Sequence, residues 1–127
     1  DAQLSRGLGD VYKRQMKSRY SSIKDHVKFI SEKTNTEIIC ITMGSKGASL
    51  YHTGEWFNSN GFKVNVIDTV GAGDSFLATL VFDLINKKNI NEALEKACAM
   101  GALVSSHSGA NTKISEHDLY AFMDKAL

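Results

Sequence analysis

Two aspartates and two glycines lie close together near the middle of the chain, in the sequence DTVGAGD from Asp68 to Asp74. An apolar run follows directly and predicts a helix from Ser75 to Lys87 that lies deep in the protein. The first amides of a helix have no partner inside it, and together with the helix dipole they attract anions. Gly71 and Gly73 let a ligand approach the backbone closely. A phosphate group fits such a position.

Asp74 places a carboxylate beside this expected anion site. A carboxylate repels a phosphate, but it suits a base that orients and deprotonates an attacking hydroxyl. The loop and the acid together indicate phosphoryl transfer to an alcohol. A plainer interpretation stays open, because aspartate is a common helix cap and glycine before a helix is ordinary loop chemistry. The Walker A pattern is absent, and the dinucleotide-binding pattern is weak.

The composition of the chain narrows the class of protein. With 127 residues, 43% of them hydrophobic, it has the size of one domain with a real core. The net charge is +1 and the lysines are scattered, so nucleic acid is not an expected partner. No apolar run reaches the ~20 residues of a membrane span, and no secretory leader is evident. We therefore expect a cytoplasmic protein without a membrane partner.

The cysteines and histidines do not suggest a metal centre. Cys40 and Cys98 lie in apolar runs and are expected to be buried thiols. The four histidines are far apart, and none pairs with another at a spacing of four residues. Residues 1–15 show no sustained periodicity and are interpreted as a non-native or disordered tail.

The remaining residues predict an α/β arrangement. Ser21 or Ser22 caps a first helix, which ends near Asn35. Short strands are expected at Glu37–Met43, Ala48–His52, Trp56–Phe57 and Phe62–Ile67. The first of these is apolar throughout, as in a strand of a parallel sheet that is covered on both faces, and the others suggest antiparallel edge hairpins. Asn91 is expected to cap a helix from Glu92 to about Ser106, and Ser115 with Asp118 predicts a capping box for a last helix.

Three segments resemble one family, the ribokinase/fructokinase (PfkB-type) sugar kinases. They are DTVGAGDSF (68–76), ITMGSKGASLY (41–51) and ACAMGALVSSHSGA (97–110). The resemblance implies a ribokinase-like three-layer α/β fold, of which this chain holds the C-terminal half. That half would contain an incomplete parallel sheet, an antiparallel edge hairpin and packed helices. Residues 16–127 would form the ATP-binding and catalytic-base part, inactive without the rest.

The resemblance also implies roles for individual residues. Asp74 matches the catalytic base. The loop from Gly71 to Asp74 matches the anion hole, with the backbone amides of Ala72, Gly73 and Asp74 as its donors. The positions that match contacts to ATP are Thr42, Gly44, Gly47, Gly73, Ala97 and Gly101. Those that match a monovalent cation site, usually for potassium, are Asp68, Val70, Ser105, Ser108 and Gly109. Asp68 as a plain loop residue, and the glycines as plain turn residues, remain open alternatives.

The implied ligands are ATP with Mg²⁺, a sugar acceptor and, in many members, K⁺; a homodimeric parent enzyme is compatible with the family. Two other functions remain open. One is a kinase of the same superfamily that acts on a nucleoside or on a vitamin-precursor alcohol. The other is a non-catalytic nucleotide-binding module in which the loop is only a cap and hinge. A dinucleotide-dependent oxidoreductase is a weaker idea, since no strand follows to close a βαβ unit.

Overall fold

The structure is a computed structural model that describes residues 23–109 and 113–125. The chain divides into two compact units. The described part of the first comprises residues 23–43 and 49–57, and that of the second comprises 44–48, 58–109 and 113–125. The predicted tail at residues 1–15 and the predicted caps Ser21 and Ser22 lie outside the described residues. No helix in the described ranges is long and apolar enough to cross a membrane.

The first unit is built around a helix and a small sheet. Helix α1 covers Ile23–Thr34, and the strands are β1 (Ile38–Thr42), β2 (Ala48–His52) and β3 (Glu55–Ser59), of whose residues Ala48, Asn58 and Ser59 belong to the second unit. They form an antiparallel sheet in the order β1-β2-β3. Thr53 and Gly54 join β2 to β3 with φ angles of 44° and 91°, which is the type I′ geometry that matches strand twist.

The core of this unit forms where α1 covers the sheet. Val27 of α1 packs with Ile39, Ile41 and Tyr51, and Trp56 lies at the edge of this cluster. The three central residues of β1 are buried, which confirms the apolar strand predicted for Glu37–Met43. In the described part of the chain β1 has only the antiparallel neighbour β2, so parallel neighbours would have to come from elsewhere.

The second unit consists mainly of three helices, α2 (Ala72–Ile85), α3 (Ile90–Ser105) and α4 (Glu116–Lys125). The predicted capping box of α4 is confirmed, because the amides of Ser115 and Asp118 each donate to the other's side chain, at 3.2 and 3.0 Å. The predicted cap of α3 is wrong by two residues. Asn89 accepts from the amide of Glu92 at 3.1 Å, so the helix begins before Asn91.

Buried small side chains let α2 and α3 approach closely. Ala93, Ala97 and Ala99 of α3 are fully buried, and Phe76 and Leu80 are the buried apolar residues of α2. Asp83 is the buried acid of α2, and Lys96 of α3 lies 3.6 Å from its carboxylate. The ion pair offsets part of the cost of burying that charge.

Two predictions about this unit are wrong. The segment Phe62–Ile67 alternates apolar and polar residues, yet it belongs to no strand in the described structure, since no neighbouring strand lies beside it. Helix α2 was expected to lie deep in the protein, but Phe82 and Ile85 are 65% and 73% exposed. One face of the helix packs on the unit, and nothing among the described residues covers the other.

Candidate functional site

The turn at Gly71 starts helix α2 and determines where Asp74 lies. Gly71 is the N-cap residue with φ 82°, a left-handed conformation that glycine adopts without strain. No side chain caps the helix. Asp74 is the third residue of α2 and is exposed. The structure therefore does not use Asp74 as the helix cap, which was the plainer interpretation of this acid.

The backbone amides of this first turn divide into two groups. The Ala72 amide donates to the Thr69 carbonyl at 3.2 Å, and the Ser75 amide donates to the Gly71 carbonyl at 2.9 Å. The amides of Gly73 and Asp74 lie between them, in the part of a helix that has no intrahelical acceptors. Of the predicted anion-hole donors, Gly73 and Asp74 thus keep the geometry of an open helix N-terminus, whereas Ala72 already has an acceptor.

Asp68 ties the loop before α2 to the turn after α3. Its carboxylate accepts from the amide of Val70 at 3.0 Å and from the amide of Gly109 at 3.1 Å. These bonds favour the ionised form and hold the pKa of the Asp68 carboxyl below its usual value. The amides of Ile67 and Asp68 both donate to the Ser105 carbonyl, at 2.8 and 3.1 Å. Two segments far apart in sequence are thereby fixed beside each other.

This cluster contains four of the five residues that the resemblance assigns to a cation. Asp68, Val70, Ser105 and Gly109 share hydrogen bonds, and Ser108 is an exposed residue of the same turn. The Asp68 carboxylate has lone pairs beyond the two that accept amides, so it fits a cation. The Ser105 carbonyl already accepts two amides, so in this arrangement it does not fit as a ligand.

The Gly44–Gly47 turn is arranged differently. Gly47 is buried with φ +96°, and a Cβ added there would lie 1.9 Å from the Ser59 carbonyl oxygen. Gly61 faces it, and a Cβ on Gly61 would lie 2.7 Å from the Gly47 nitrogen. Close backbone packing explains why Gly47 is glycine without any ligand. Gly44 is exposed with nothing near its missing side chain, and Thr42 ends β1 half-buried.

The predicted adenine-side residues lie on α3. Ala97 is fully buried. A Cβ on Gly101 would lie 3.4 Å from the Ala72 carbonyl oxygen and 3.6 Å from Cβ of Phe76. Gly101 thus faces the start of α2, one turn of helix from the Ser105 carbonyl, and the Ser105 hydroxyl donates to the Gly101 carbonyl at 2.9 Å. Packing explains the small size of both residues.

A polar cleft of about 680 Å³ was not predicted from the sequence. It is lined by Asn58, Ser59, Asn60, Gly61, Phe62, Lys63, Asn91 and Glu95. Beside it, burial raises the pKa of the Cys98 thiol, and a hydrogen bond with Ser59 opposes that effect. The only signal in the sequence was the run of polar residues before Phe62, which is also what an ordinary turn shows.

Comparison with known proteins gives a consistent result. The sequence model of the pfkB family of carbohydrate kinases matches residues 12–117. Fructokinase from Solanum tuberosum is 34% identical over 84 residues, which are 60% of this chain and 26% of that protein. Ribokinase from Thermotoga maritima superposes with a TM-score of 0.78 at 21% identity, over 92% of this chain and 39% of its own, which shows the fold alone.

Several of the matching solved structures contain bound ligands, and a fructokinase is one of them. A fructokinase double mutant from Vibrio cholerae, bound to fructose, ADP and a potassium ion, has a TM-score of 0.71. It is 30% identical to this chain and matches 80% of it, with 34% of its own length. This chain spans between about a quarter and two-fifths of the length of the relatives it matches.

Proposed function

Since the chain belongs to the pfkB family of carbohydrate kinases, we propose that it supplies the catalytic base and the phosphate-binding turn of an ATP-dependent sugar kinase. The observation that supports this most is the first turn of α2. There an exposed carboxylate, Asp74, lies beside the amides of Gly73 and Asp74, behind a left-handed glycine. The first turn of α2 has no side-chain capping hydrogen bond, so capping does not explain why Asp74 is an acid.

The proposed reaction follows from this arrangement. Asp74 accepts the proton of the sugar hydroxyl as the hydroxyl oxygen attacks the terminal phosphorus of ATP. The bond from that phosphorus to the bridging oxygen breaks, and ADP leaves. The amides of Gly73 and Asp74 donate to the phosphoryl oxygens, where such preorganised donors are commonly worth about 3–4 kcal/mol each.

The ions in this proposal have separate roles. Mg²⁺ arrives with ATP and keeps most of its waters, and no acid of this chain is assigned to it. A potassium ion in the Vibrio cholerae relative supports a cation near Asp68, whose carboxylate can accept it. The Asp68 carboxylate accepts hydrogen bonds from the Val70 and Gly109 amides, and we call this pair of bonds the Asp68 clamp. The clamp holds the turn at Gly109 beside the loop before Gly71 and does not need the ion to do so.

The acceptor is proposed to be a sugar of the fructose or ribose type. The residues that select it are not recognisable in this chain, so nucleosides and vitamin-precursor alcohols remain competing acceptors. A substrate panel on a completed kinase distinguishes them. In the completed kinase, this chain replaces the matching part of Vibrio cholerae fructokinase and is fused to the remaining part of that enzyme. By itself the 127-residue chain is expected to show little or no turnover.

The test of the base is Asp74→Asn in the completed kinase. We expect kcat to fall by about 10²–10⁴-fold, because the asparagine amide cannot take the proton. The Kd for ATP should change little, and the thermal unfolding midpoint should stay the same, because the exposed acid makes no capping bond. The matched control is Asp118→Asn, which removes an acid at the same position of α4, where it does form a capping box.

The control should lower the thermal midpoint and leave kcat unchanged. If Asp74→Asn instead lowers the midpoint and keeps the rate, the acid serves as a helix cap and the proposal fails. A rate loss that is matched by an equal loss of ATP affinity would also contradict the role of a base.

A further inference from the structure

The sequence contains a single Asn–Gly pair, Asn60–Gly61, which lies directly after strand β3. Asparagine is a thermolabile residue, because the backbone nitrogen of the next residue can attack its side-chain amide. A glycine in the next position has no side chain to hinder that attack. All other asparagines of the chain precede residues that carry a side chain. The pair is therefore the position at which the sequence most favours loss of a side-chain amide.

The structure restrains this pair only weakly. Asn60 is exposed and lies outside the helices and strands, and its side chain has no hydrogen-bond partner among residues 23–109 and 113–125. The Gly61 amide donates to the Ser59 hydroxyl oxygen at 3.4 Å, which is longer than the usual range of about 2.7–3.2 Å. Both residues of the pair line the polar cleft of about 680 Å³, so water reaches them. The attacking nitrogen, the amide under attack and the water for the reaction are thus available together.

We propose that Asn60 is a site of spontaneous deamidation in the folded chain. The Gly61 nitrogen loses its proton to solvent and attacks Cγ of Asn60. The new N–Cγ bond closes a cyclic imide, the Cγ–Nδ2 bond breaks, and the side-chain nitrogen takes a proton from solvent and leaves as ammonia. Water then opens the imide, adding its hydroxyl group to one of the two ring carbonyl carbons and its proton to the Gly61 nitrogen.

The two ways of opening the imide give different products. Attack of water at Cγ breaks the new bond and gives aspartate, with the backbone unchanged. Attack at the main-chain carbonyl carbon gives isoaspartate, in which the chain runs through the former side chain of Asn60 and is one atom longer. Either product adds a carboxylate to a cleft that Lys63 and Glu95 also line.

The backbone around Asn60 has no room for the longer chain. A Cβ added to Gly47 would lie 2.7 Å from the main-chain carbonyl carbon of Asn60 and 2.6 Å from the Gly61 nitrogen. A Cβ added to Gly61 would lie 2.8 Å from the Ser45 carbonyl oxygen. The isoaspartate form therefore has to open the contact between Gly47 and Gly61, whereas the aspartate form keeps it. Through isoaspartate, deamidation loosens the Gly44–Gly47 turn.

The test follows individual asparagines of the folded 127-residue chain by mass spectrometry of its peptides during storage in a mildly alkaline buffer. Asn86 is the matched internal control. It is also exposed, but it precedes a lysine, and its side-chain nitrogen donates to the Phe82 carbonyl at 2.8 Å. We expect Asn60 to convert about ten-fold faster than Asn86 or more, because only its neighbour lacks a side chain. Asn60→Gln should abolish the conversion, because glutamine would have to close a larger ring.

The same chain unfolded in urea shows the rate that the sequence alone allows. If Asn60 converts in urea but reacts no faster than Asn86 in the folded chain, the fold protects the pair and the inference is overturned. Failure of Asn60 to convert in either state overturns it as well. If the isolated chain shows no cooperative unfolding in urea, the folded arm uses the completed kinase, with the same two outcomes.

A second measurement tests the packing step. Ion exchange separates the stored chain by its added negative charge, and enzymatic methylation of isoaspartate distinguishes the two products. The isoaspartate form should unfold at a lower urea concentration than the fresh chain, whereas Asn60→Asp should keep the midpoint of the fresh chain. Equal midpoints for all three would contradict the opening of the contact. No readout depends on turnover, so a failure of the proposed base Asp74 remains distinguishable.

Discussion

Two glycine turns of this molecule were both predicted to contact nucleotide, and the fold uses them differently. At Gly47 the backbone of Ser59 and Gly61 occupies the space where a side chain would be. At Gly71 the left-handed glycine opens a helix whose first turn presents an exposed acid. A glycine that neighbouring backbone requires is explained without a ligand. The turn at Gly71 has no such packing explanation, because it exposes a carboxylate beside amides without intrahelical acceptors. It is therefore the better candidate for a catalytic site.

The largest expected effect is at the packed turn. Gly47→Ala would place a Cβ 1.9 Å from a backbone oxygen at φ +96°, so the backbone must move. We expect a loss of roughly 3 kcal/mol in the free energy of unfolding, since backbone strain and a steric clash add together. The control is Gly44→Ala, which has φ +59° but open space and should cost only about 1 kcal/mol. Urea titration measures both, and equal losses would contradict the packing explanation.

A smaller effect is expected beside the Gly71 turn, where the stabilisation that the Asp68 clamp provides depends on pH. The folded pKa is lowered, so the stabilisation is complete above the ordinary value near 3.8. It is lost as the pH falls through the lowered folded pKa, because the unfolded chain takes up the proton first. We expect the Gly109 amide resonance in NMR to shift on acidification with a midpoint below 3.8, the ordinary aspartate value.

Asp68→Asn should remove this transition, because the amide side chain does not titrate. Asp118→Asn is the control, since Asp118 also has a lowered pKa but lies in the capping box of α4. That variant should leave the Gly109 transition in place. A Gly109 resonance that moves at the ordinary aspartate pKa would mean that the two bonds to Asp68 do not form in solution.

The smallest expected effect is at Gly101. Its surroundings resemble those of neither turn, since an added Cβ would meet its nearest neighbour at 3.4 Å, close to an ordinary contact. Gly101→Ala should change the free energy of unfolding by less than about 1 kcal/mol, because the gain in helix propensity offsets a slight shift of α2. If this variant lowers the ATP affinity of the completed kinase while stability holds, the predicted role of Gly101 beside the nucleotide gains support.

The sequence predicted those features that depend on neighbouring residues. The capping box of Ser115 and Asp118 follows from residues three apart, and the buried strand β1 from a short apolar run. The loop between Asp68 and Asp74 was recognisable for the same reason, because two glycines and an acid at a helix start carry their meaning locally. The predicted cap of α3 is wrong by two residues, because Asn89 and Asn91 lie within one turn of each other and asparagine suits the N-cap position at either site.

Features that join distant segments were decided only by the tertiary structure. The bond from the Gly109 amide to Asp68 spans 41 residues, and no local pattern announces it. The contact between Gly47 and Gly61 and the cleft beside Asn58 likewise arise from chain segments that meet only on folding. The exposure of Phe82 and Ile85 on α2 also does not follow from the sequence. An apolar face is suited to burial, but only the tertiary structure determines whether another element covers it.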